Sequence, residues 1–241
     1  MKIAIITPYF KESTAELKRC HQSVKAQTVA CDHIFVSDGF PHPMIDTLDA
    51  IHIKVPPHAD YGDTPRAIGG AHAYAAGYDA VLLLDADNYF DPDHVATMLA
   101  HQKRTGAAVV TCGRSLIHCE TGEVIGQCAE SDGDLFVDTN CYLLTRAAMP
   151  YLAAWGFKDP KKGIIGDRIF WLTVKKSALM KAHCPSNGVN YVTTFAVHYL
   201  LHKLPVPARG KIILDMSGQG DFVMKSFAEV QSMPELQRFI S

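Results

Sequence analysis

Two carboxylates, Asp85 and Asp87, are separated only by Ala86 and follow an apolar run over residues 80–84, within DAVLLLDADNYFDPD at 79–93. The run is short, continuous and bounded by polar residues, which predicts a fully buried strand. Side chains two apart on a strand point to the same side, so a backbone extended through Asp87 lets both acids converge on one point. Such a pair is costly unless a cation or a proton neutralises it. Oxygen ligands on an open loop suit Mg²⁺ or Mn²⁺, which also accept phosphate oxygens and water. Taken alone, the pair also fits solvated acids at a strand end, so the surrounding elements must decide.

Those elements alternate. Residues 2–7 (KIAIIT) predict an isoleucine-rich first strand that Pro8 ends, with a loop over 9–12. Ser13 and Glu16 form a capping box, and the helix after it carries Leu17, Cys20 and Val24 on one face before ending at 26–28. Residues 34–36 predict a strand closing on Ser37-Asp38-Gly39, then a short helix leading to Ala50 and a third strand at 51–55. Thr64 is the expected N-cap of the next helix, with Pro65 at its first position and Gly77 at its end. Gly69 and Gly70 lower helix propensity there, which calls for close packing on the sheet. Asp91-Pro92 opens a helix that turns Val95, Met98 and Leu99 inward and stops at Gly106, and residues 108–112 make a fifth strand. This rhythm predicts an α/β protein with a mostly parallel central sheet flanked by helices. Ligands of such sheets bind outside the carboxyl ends of the strands. Thr7-Pro8, Asp38 and Asp85-Ala86-Asp87 all fall on that rim.

After Gly113 the rhythm changes. Residues 116–118 and 124–125 flank Glu120-Thr121-Gly122 as a hairpin. Short strands are expected at 134–137 and 141–144, a helix disturbed by Pro150 at 145–155, and a charged loop at 158–163. Gly166-Asp167-Arg168 opens a helix that runs to Met180. Residues 189–195 are rich in β-formers, 211–214 make one more short element, and 219–241 read as a helical tail. No linker divides the chain, so one domain is expected over 1–241, with the alternating half at 1–113 fused to a second lobe at 114–241.

The bulk composition excludes several classes. Hydrophobic residues make up 48% and charged residues 20% of the 241, as in ordinary globular proteins. The 23 basic and 25 acidic residues leave a net charge of −2, which recommends neither nucleic acid nor an anionic membrane as partner. No apolar run approaches the roughly 20 residues of a membrane helix, and the N-terminus reads as a strand rather than a signal peptide. Seven cysteines without a C-x-x-C fit reduced thiols in a cytoplasmic protein, with peripheral attachment to a membrane left open.

Four segments, in order, resemble family 2 glycosyltransferases of the GT-A fold. IITPYFKESTAELKRCHQSVKAQT at 5–28 resembles the family's opening strand, P-x-Y-N-E-type loop and first helix. VSDG at 36–39 is similar to its V-D-D-G strand end, the segment from Gly62 to Gly69 with Arg66 to its G-x-x-x-A-R-N, and LLLDADNYFDPDHV at 82–95 to its D-x-D region. Beyond Gly113 the likeness thins to FVDTNCYLLTR at 136–146. Four positions depart from the pattern: Phe10-Lys11 replaces Asn-Glu, Asn88 stands where a third aspartate is common, and Gly166 replaces the first acid of a Glu-Asp pair.

The resemblance implies transfer of a sugar from a nucleotide-diphosphate sugar, UDP favoured, to an acceptor hydroxyl with inversion. The acceptor class is a carbohydrate, a lipid-linked molecule or a small molecule. Mn²⁺ or Mg²⁺ is implied, with Asp87 as direct ligand, Asp85 on the metal, its water or the ribose, and His198, or less directly His202, as a late histidine ligand. Thr7, Pro8 and Tyr9 would shape the wall under the base, Asp38 would accept a base N–H, Ala86 would touch the nucleotide, and Arg66 would reach base or diphosphate. Glu12 is a further nucleotide contact. Asp167 is the expected general base, with Asp138 its rival. Trp155 and Trp171 suit either packing or stacking on an acceptor sugar. Two other readings stand beside this one: a non-catalytic nucleotide-sugar-binding module, and a nucleotidyltransferase, although TPYFKEST lacks the glycines of that class's phosphate loop.

Overall fold

The computed structural model describes residues 1–218 and 222–233. In chain order the elements are β1 (Ile3–Tyr9), α1 (Thr14–Lys25), β2 (Asp32–Asp38), β3 (Ile51–Val55), α2 (Asp63–Ala75), β4 (Ala80–Leu83), β5 (Tyr89–Phe90), α3 (His94–Thr105) and β6 (Val109–Cys112). They continue with β7 (Ser115–His118), β8 (Val124–Gln127), β9 (Tyr142–Thr145), α4 (Ala154–Phe157), α5 (Gly166–Lys176), β10 (Lys181–Cys184) and β11 (Val189–Thr193). The last are α6 (Ala196–Leu201), β12 (Lys211–Asp215), β13 (Phe222–Ser226) and α7 (Phe227–Ser232). Two compact units result: Met1–Arg114 with Ala129–Asn190, and Ser115–Cys128 with Tyr191–Ser241.

The first unit is built on a seven-stranded sheet in the order β10-β6-β9-β4-β1-β2-β3. Its pairs are parallel except on either side of β9, which runs antiparallel to β4 and β6. Side chains alternate across β1. Ile6 faces α2, where a Cβ at Gly69 would lie 2.5 Å from Ile6 Cγ2, so the helix seats on the sheet because that position is glycine. Thr7 faces α1, its hydroxyl 2.9 Å from His33 Nε2. The core of this unit is the apolar interior of β1, β2, β4, β6 and β9 with Cys20, Val24, Val95, Met98, Trp155 and Phe170.

Several boundaries differ from expectation for identifiable reasons. Pro8 lies inside β1, opposite Val36, rather than ending it. Pairing with β4 stops at Ile6, so the missing Pro8 N–H deprives no neighbouring strand. Helix α2 starts at Asp63 after Gly62 in the left-handed region, ahead of Thr64. The Asp60 carboxylate serves as its cap, accepting Asp63 N at 3.1 Å, Thr64 N at 2.9 Å and Thr64 Oγ1 at 2.5 Å. Residues 134–137 form no strand: Asp132 Oδ1 accepts the N–H groups of Asp134, Leu135 and Phe136 and coils the segment around itself. The capping box of α1, the left-handed Gly77 and Gly106, and the 51–55 strand agree with the sequence reading.

The second unit holds the β7–β8 hairpin, which turns through Gly122 at φ 74°, the short α6, and the antiparallel β12–β13 pair followed by α7. Tyr199 OH accepts Cys119 N at 3.1 Å and donates to Thr193 O at 2.8 Å, tying α6 to the hairpin and to the end of β11. Of the expected helical tail, 222–226 is strand and 227–232 helix, while 219–221 and 234–241 lie outside the described residues.

Candidate active site

Strand β4 ends at Leu83, and the chain turns through Asp85–Asn88, closed by Asn88 N donating to Asp85 O at 3.0 Å. The extended backbone therefore does not continue through Asp87, and the two carboxylates meet different surroundings. Ala86 turns into an apolar cluster with Tyr9, Leu17, Phe35 and Ile45. This anchors the turn between the two acids. Arg19 of α1 donates to the Asp87 carbonyl and lies over the Tyr89 ring, which fixes the turn from the other side.

Asp85 is fully partnered. Its Oδ1 accepts Arg66 Nη2 at 2.6 Å, its Oδ2 accepts Asn140 Nδ2 at 3.1 Å, and its backbone N–H donates to Asn140 Oδ1 at 2.5 Å. The amide of Asn140 also donates to Asp138 Oδ1 at 2.7 Å, and the other oxygen of Asp138 pairs with Arg114. A chain of polar contacts with an arginine at each end thus runs from Arg66 through Asp85, Asn140 and Asp138 to Arg114. Sequence reasoning did not single out Asn140 or Arg114 for this role. The available signal was the compact D-T-N at 138–140, where Asp138 caps a short turn that presents Asn140.

Asp87 has no cationic side chain paired with its carboxylate among the described residues. Burial, then the charges of Asp85, Glu12 and Glu16, push its carboxyl up to about 7. Glu12 is itself raised, first by burial, while its Oε2 accepts Phe10 N at 2.6 Å. This uncompensated negative corner has an oxygen-only, partly open donor set among the described residues, which fits a hard divalent cation.

The remaining predicted residues sort clearly. Asp38 ends β2, buried, with Oδ1 accepting His58 N at 2.7 Å and lying 3.1 Å from His58 Nδ1. Thr7 is buried with its side chain turned to His33, so only its backbone serves the rim. Pro8 lies beneath Gly62, and the Tyr9 hydroxyl is held 2.6 Å from His52 Nε2, whose Nδ1 meets Asp46 at 2.7 Å. Tyr9, Phe10, Lys11, Glu12, Gly39 and Phe40 line a cleft of about 470 Å³. There the departed positions form a unit, with Phe10 and Phe40 edge to face at 4.7 Å and Lys11 Nζ over both rings. Trp155 and Trp171 are both core residues: Trp155 stacks on Phe170, and Trp171 Nε1 donates to Asp134 O at 2.8 Å.

Asp167 sits in the first turn of α5. Its Oδ1 accepts Arg168 N at 2.7 Å, and burial followed by the charge of Asp138 raises its carboxyl to about 6. Gly166 beside it has a local cause. A Cβ there would lie 2.8 Å from both carboxylate oxygens of Asp63 and from Trp155 Cζ3. Asp63 is 1% exposed and pairs with Lys158 and with Arg66 Nη1 at 3.1 Å. The position where the resemblance expects an acid is thus packed against an acid from α2. His198 belongs to the second unit, where its Nδ1 lies 2.6 Å from Thr193 Oγ1 and its donor nitrogen within 4.8 Å of Cys128 Sγ. His202 is exposed in that unit, its ring against Gly126.

A mixed sheet flanked by helices, with acids on the carboxyl rim of its central strands, defines a GT-A-like fold. Residues 4–127 match the family described as glycosyl transferase family 2, and the chain belongs to that family of enzymes. It is 26% identical over 186 residues to the succinoglycan biosynthesis protein ExoW of Rhizobium meliloti (strain 1021), a match that covers 70% of this chain and 56% of ExoW. Crystal structures of S. aureus TarS share the fold. One gives a TM-score of 0.63 at 12% identity over 80% of this chain and 37% of that one. The complex with UDP gives 0.61 at 11% identity over 84% and 63%. The complex with UDP-GlcNAc gives 0.62 at 12% identity over 80% and 59%. The chain thus spans little more than half of ExoW and less than two thirds of TarS. No helix among the described residues is long and apolar enough to cross a membrane.

Proposed function

We propose that this chain moves a sugar from a nucleotide-diphosphate sugar, UDP-linked by preference, to an acceptor hydroxyl with inversion. The supporting observation is the contrast within the first unit between acids paired with cations and two raised ones, Asp87 at about 7 and Asp167 at about 6. The complexes of TarS with UDP and UDP-GlcNAc and the likeness to a succinoglycan biosynthesis protein favour a UDP-sugar donor and a carbohydrate or lipid-linked acceptor.

In this reading residues 1–113 take the donor and 114–241 the acceptor, except that Asn140 serves the donor side through Asp85. Asp38 accepts the base N–H with the oxygen that His58 leaves open. The backbone at Thr7 and Pro8 and the fixed ring of Tyr9 wall the base. Arg66 holds Asp85 in place. Mn²⁺ or Mg²⁺ held by Asp87, beside the fixed Asp85, would act as a Lewis acid on the diphosphate, neutralising charge as it leaves. Asp167 accepts the acceptor's hydroxyl proton while that oxygen bonds to the anomeric carbon, and the electron pair of the broken C–O bond leaves with the diphosphate. Asp138 is the weaker base because Arg114 already holds its charge.

The test incubates the protein with Mn²⁺, a panel of nucleotide sugars and candidate acceptors, and detects released nucleoside diphosphate. Release from a UDP-sugar that depends on both metal and acceptor is expected. Tight donor binding without release would instead make the chain a binding module, and pyrophosphate release from a nucleoside triphosphate would make it a nucleotidyltransferase.

A further inference from the structure

The loop before α2 carries unusual backbone. Ala59 and Tyr61 have φ 54° and 61°, and Gly62 has φ 81°. Left-handed geometry is ordinary for Gly62 and uncommon for a tyrosine, whose Cβ crowds the following carbonyl. Such strain persists only where the surroundings over-determine it, and they do here. Asp60 pins the loop by capping α2. The Tyr61 carbonyl accepts Arg66 Nη1 at 2.9 Å. The ring lies against the backbone of Gly163, where an added Cβ would fall 2.8 Å from Tyr61 Cδ2 and 2.7 Å from Asp60 O. With the carbonyl turned inward, the side chain is left 56% exposed.

Tyr61 is therefore tethered on two sides. Through Arg66, whose Nη2 holds Asp85 at 2.6 Å, it is fastened to the first of the acids after β4. Through Gly163 it touches the segment that leads into α5 and Asp167. In the reaction proposed above, the transferred sugar lies between the diphosphate and the base, and Tyr61 is tied to the elements that carry both, through Arg66 to Asp85 and through Gly163 to the segment before Asp167. A strained backbone that presents an open aromatic face at such a place points to ligand contact rather than packing.

We propose that Tyr61 is a specificity-determining residue whose ring packs on the apolar C–H face of the donor's pyranose. This assignment rests on the glycosyltransferase reading. Pyranose stacking of this kind discriminates sugars by the orientation of their hydroxyls while leaving the nucleotide untouched.

The test compares wild type, Tyr61→Gly and Tyr61→Phe, with Mn²⁺, by melting temperature and by calorimetric affinity for UDP, UDP-glucose and UDP-N-acetylglucosamine. Glycine keeps the carbonyl for Arg66 and relieves the left-handed strain, so Tyr61→Gly is expected to melt no lower than wild type. It should bind UDP as wild type does but bind the preferred nucleotide sugar about 3- to 10-fold more weakly, the usual range for one aromatic contact. Tyr61→Phe should retain wild-type affinity for both. The assignment is overturned if Tyr61→Gly binds the nucleotide sugar as tightly as wild type. It is also overturned if UDP and nucleotide sugar weaken equally, or if only the acceptor KM changes. A wild-type chain that binds no UDP at all overturns the proposed function, and this assignment with it.

Discussion

Six acids of the first unit fall into two groups that the residue type does not distinguish. Asp63, Asp85 and Asp138 are held by Arg66, Lys158 and Arg114 or by Asn140. Among the described residues, Asp87, Glu12 and Asp167 have no such cation on their carboxylates, and all three are raised. The first group is scaffold: its charge is already spent on neighbouring cations, and removing a partner strands a buried ion. The second group retains charge that the protein alone does not neutralise, which is the state needed by a metal ligand or a general base. Asp85 and Asp87, two residues apart, fall on opposite sides of this division.

Substitution separates the groups by what is lost. Asp87→Ala is expected to reduce turnover by at least roughly 10³-fold and to remove the Mn²⁺-dependent part of UDP binding. Unchanged donor affinity in Mn²⁺, measured by calorimetry, would place the cation elsewhere. Asp167→Asn should keep donor binding and lose transfer by roughly 10²–10⁴-fold. With saturating Mn²⁺ keeping Asp87 ionised, the base in wild type must also be ionised, so kcat/KM should rise with pH through about 6 and level off above it. That limb should vanish in the variant. A pH profile identical to wild type would move the base to another group.

The scaffold acids should fail differently. Arg114→Leu leaves Asp138 buried beside Asn140 without its cation and should cost about 3–5 kcal/mol of stability, read by urea unfolding. A loss below about 1 kcal/mol would show that Asp138 reaches solvent compensation and would weaken the two-group division. Asp167→Asn has the opposite sign. Its carboxyl binds a proton more tightly in the fold than in the unfolded chain, so ionisation erodes stability as pH rises from about 4 to about 6. The asparagine variant should therefore be the more stable protein above pH 6 while inactive.

The smallest effect concerns a buried group that neither set uses. His94 is buried against the Phe90 ring at 4.2 Å, and burial lowers it to about 3. The unfolded chain takes up a proton there below pH 6.5 that the folded chain refuses, so stability falls with pH. By pH 5 the loss should be about 2 kcal/mol relative to pH 7. His94→Phe should flatten that part of the pH–stability curve. An unaltered slope would assign the acid sensitivity to His33 and His21, which are also lowered by burial.

Much of the site was legible because its signals are local. The apolar run before Asp85, the capping box at Ser13 and Glu16, and the alternation of strand and helix to Cys112 each rest on a few adjacent residues. The start of α2 was misplaced because Asp60, outside the usual capping position, outcompeted Thr64. The 134–137 segment was misread because Asp132 gathers its N–H groups, a side-chain preference that periodicity cannot register. The departure at Gly166 looked like a weakened motif, and its cause is the volume taken by Asp63 and Trp155, which no reading of neighbours along the chain supplies.

By itself the sequence determined that Asp85 and Asp87 stand at the carboxyl end of a buried strand in an α/β sheet. Hydrophobic periodicity and chain turns are short-range and dictate where a strand must end. Only the tertiary structure decided that Asp85 is neutralised and Asp87 is not. That difference is made by Arg66, 19 residues away, and Asn140, 55 residues away, both of which reach the first carboxylate. The turn after Leu84 leaves the second among Glu12 and Glu16. The ionisation of a carboxyl depends on what surrounds it in space, and that is set when distant segments fold against one another.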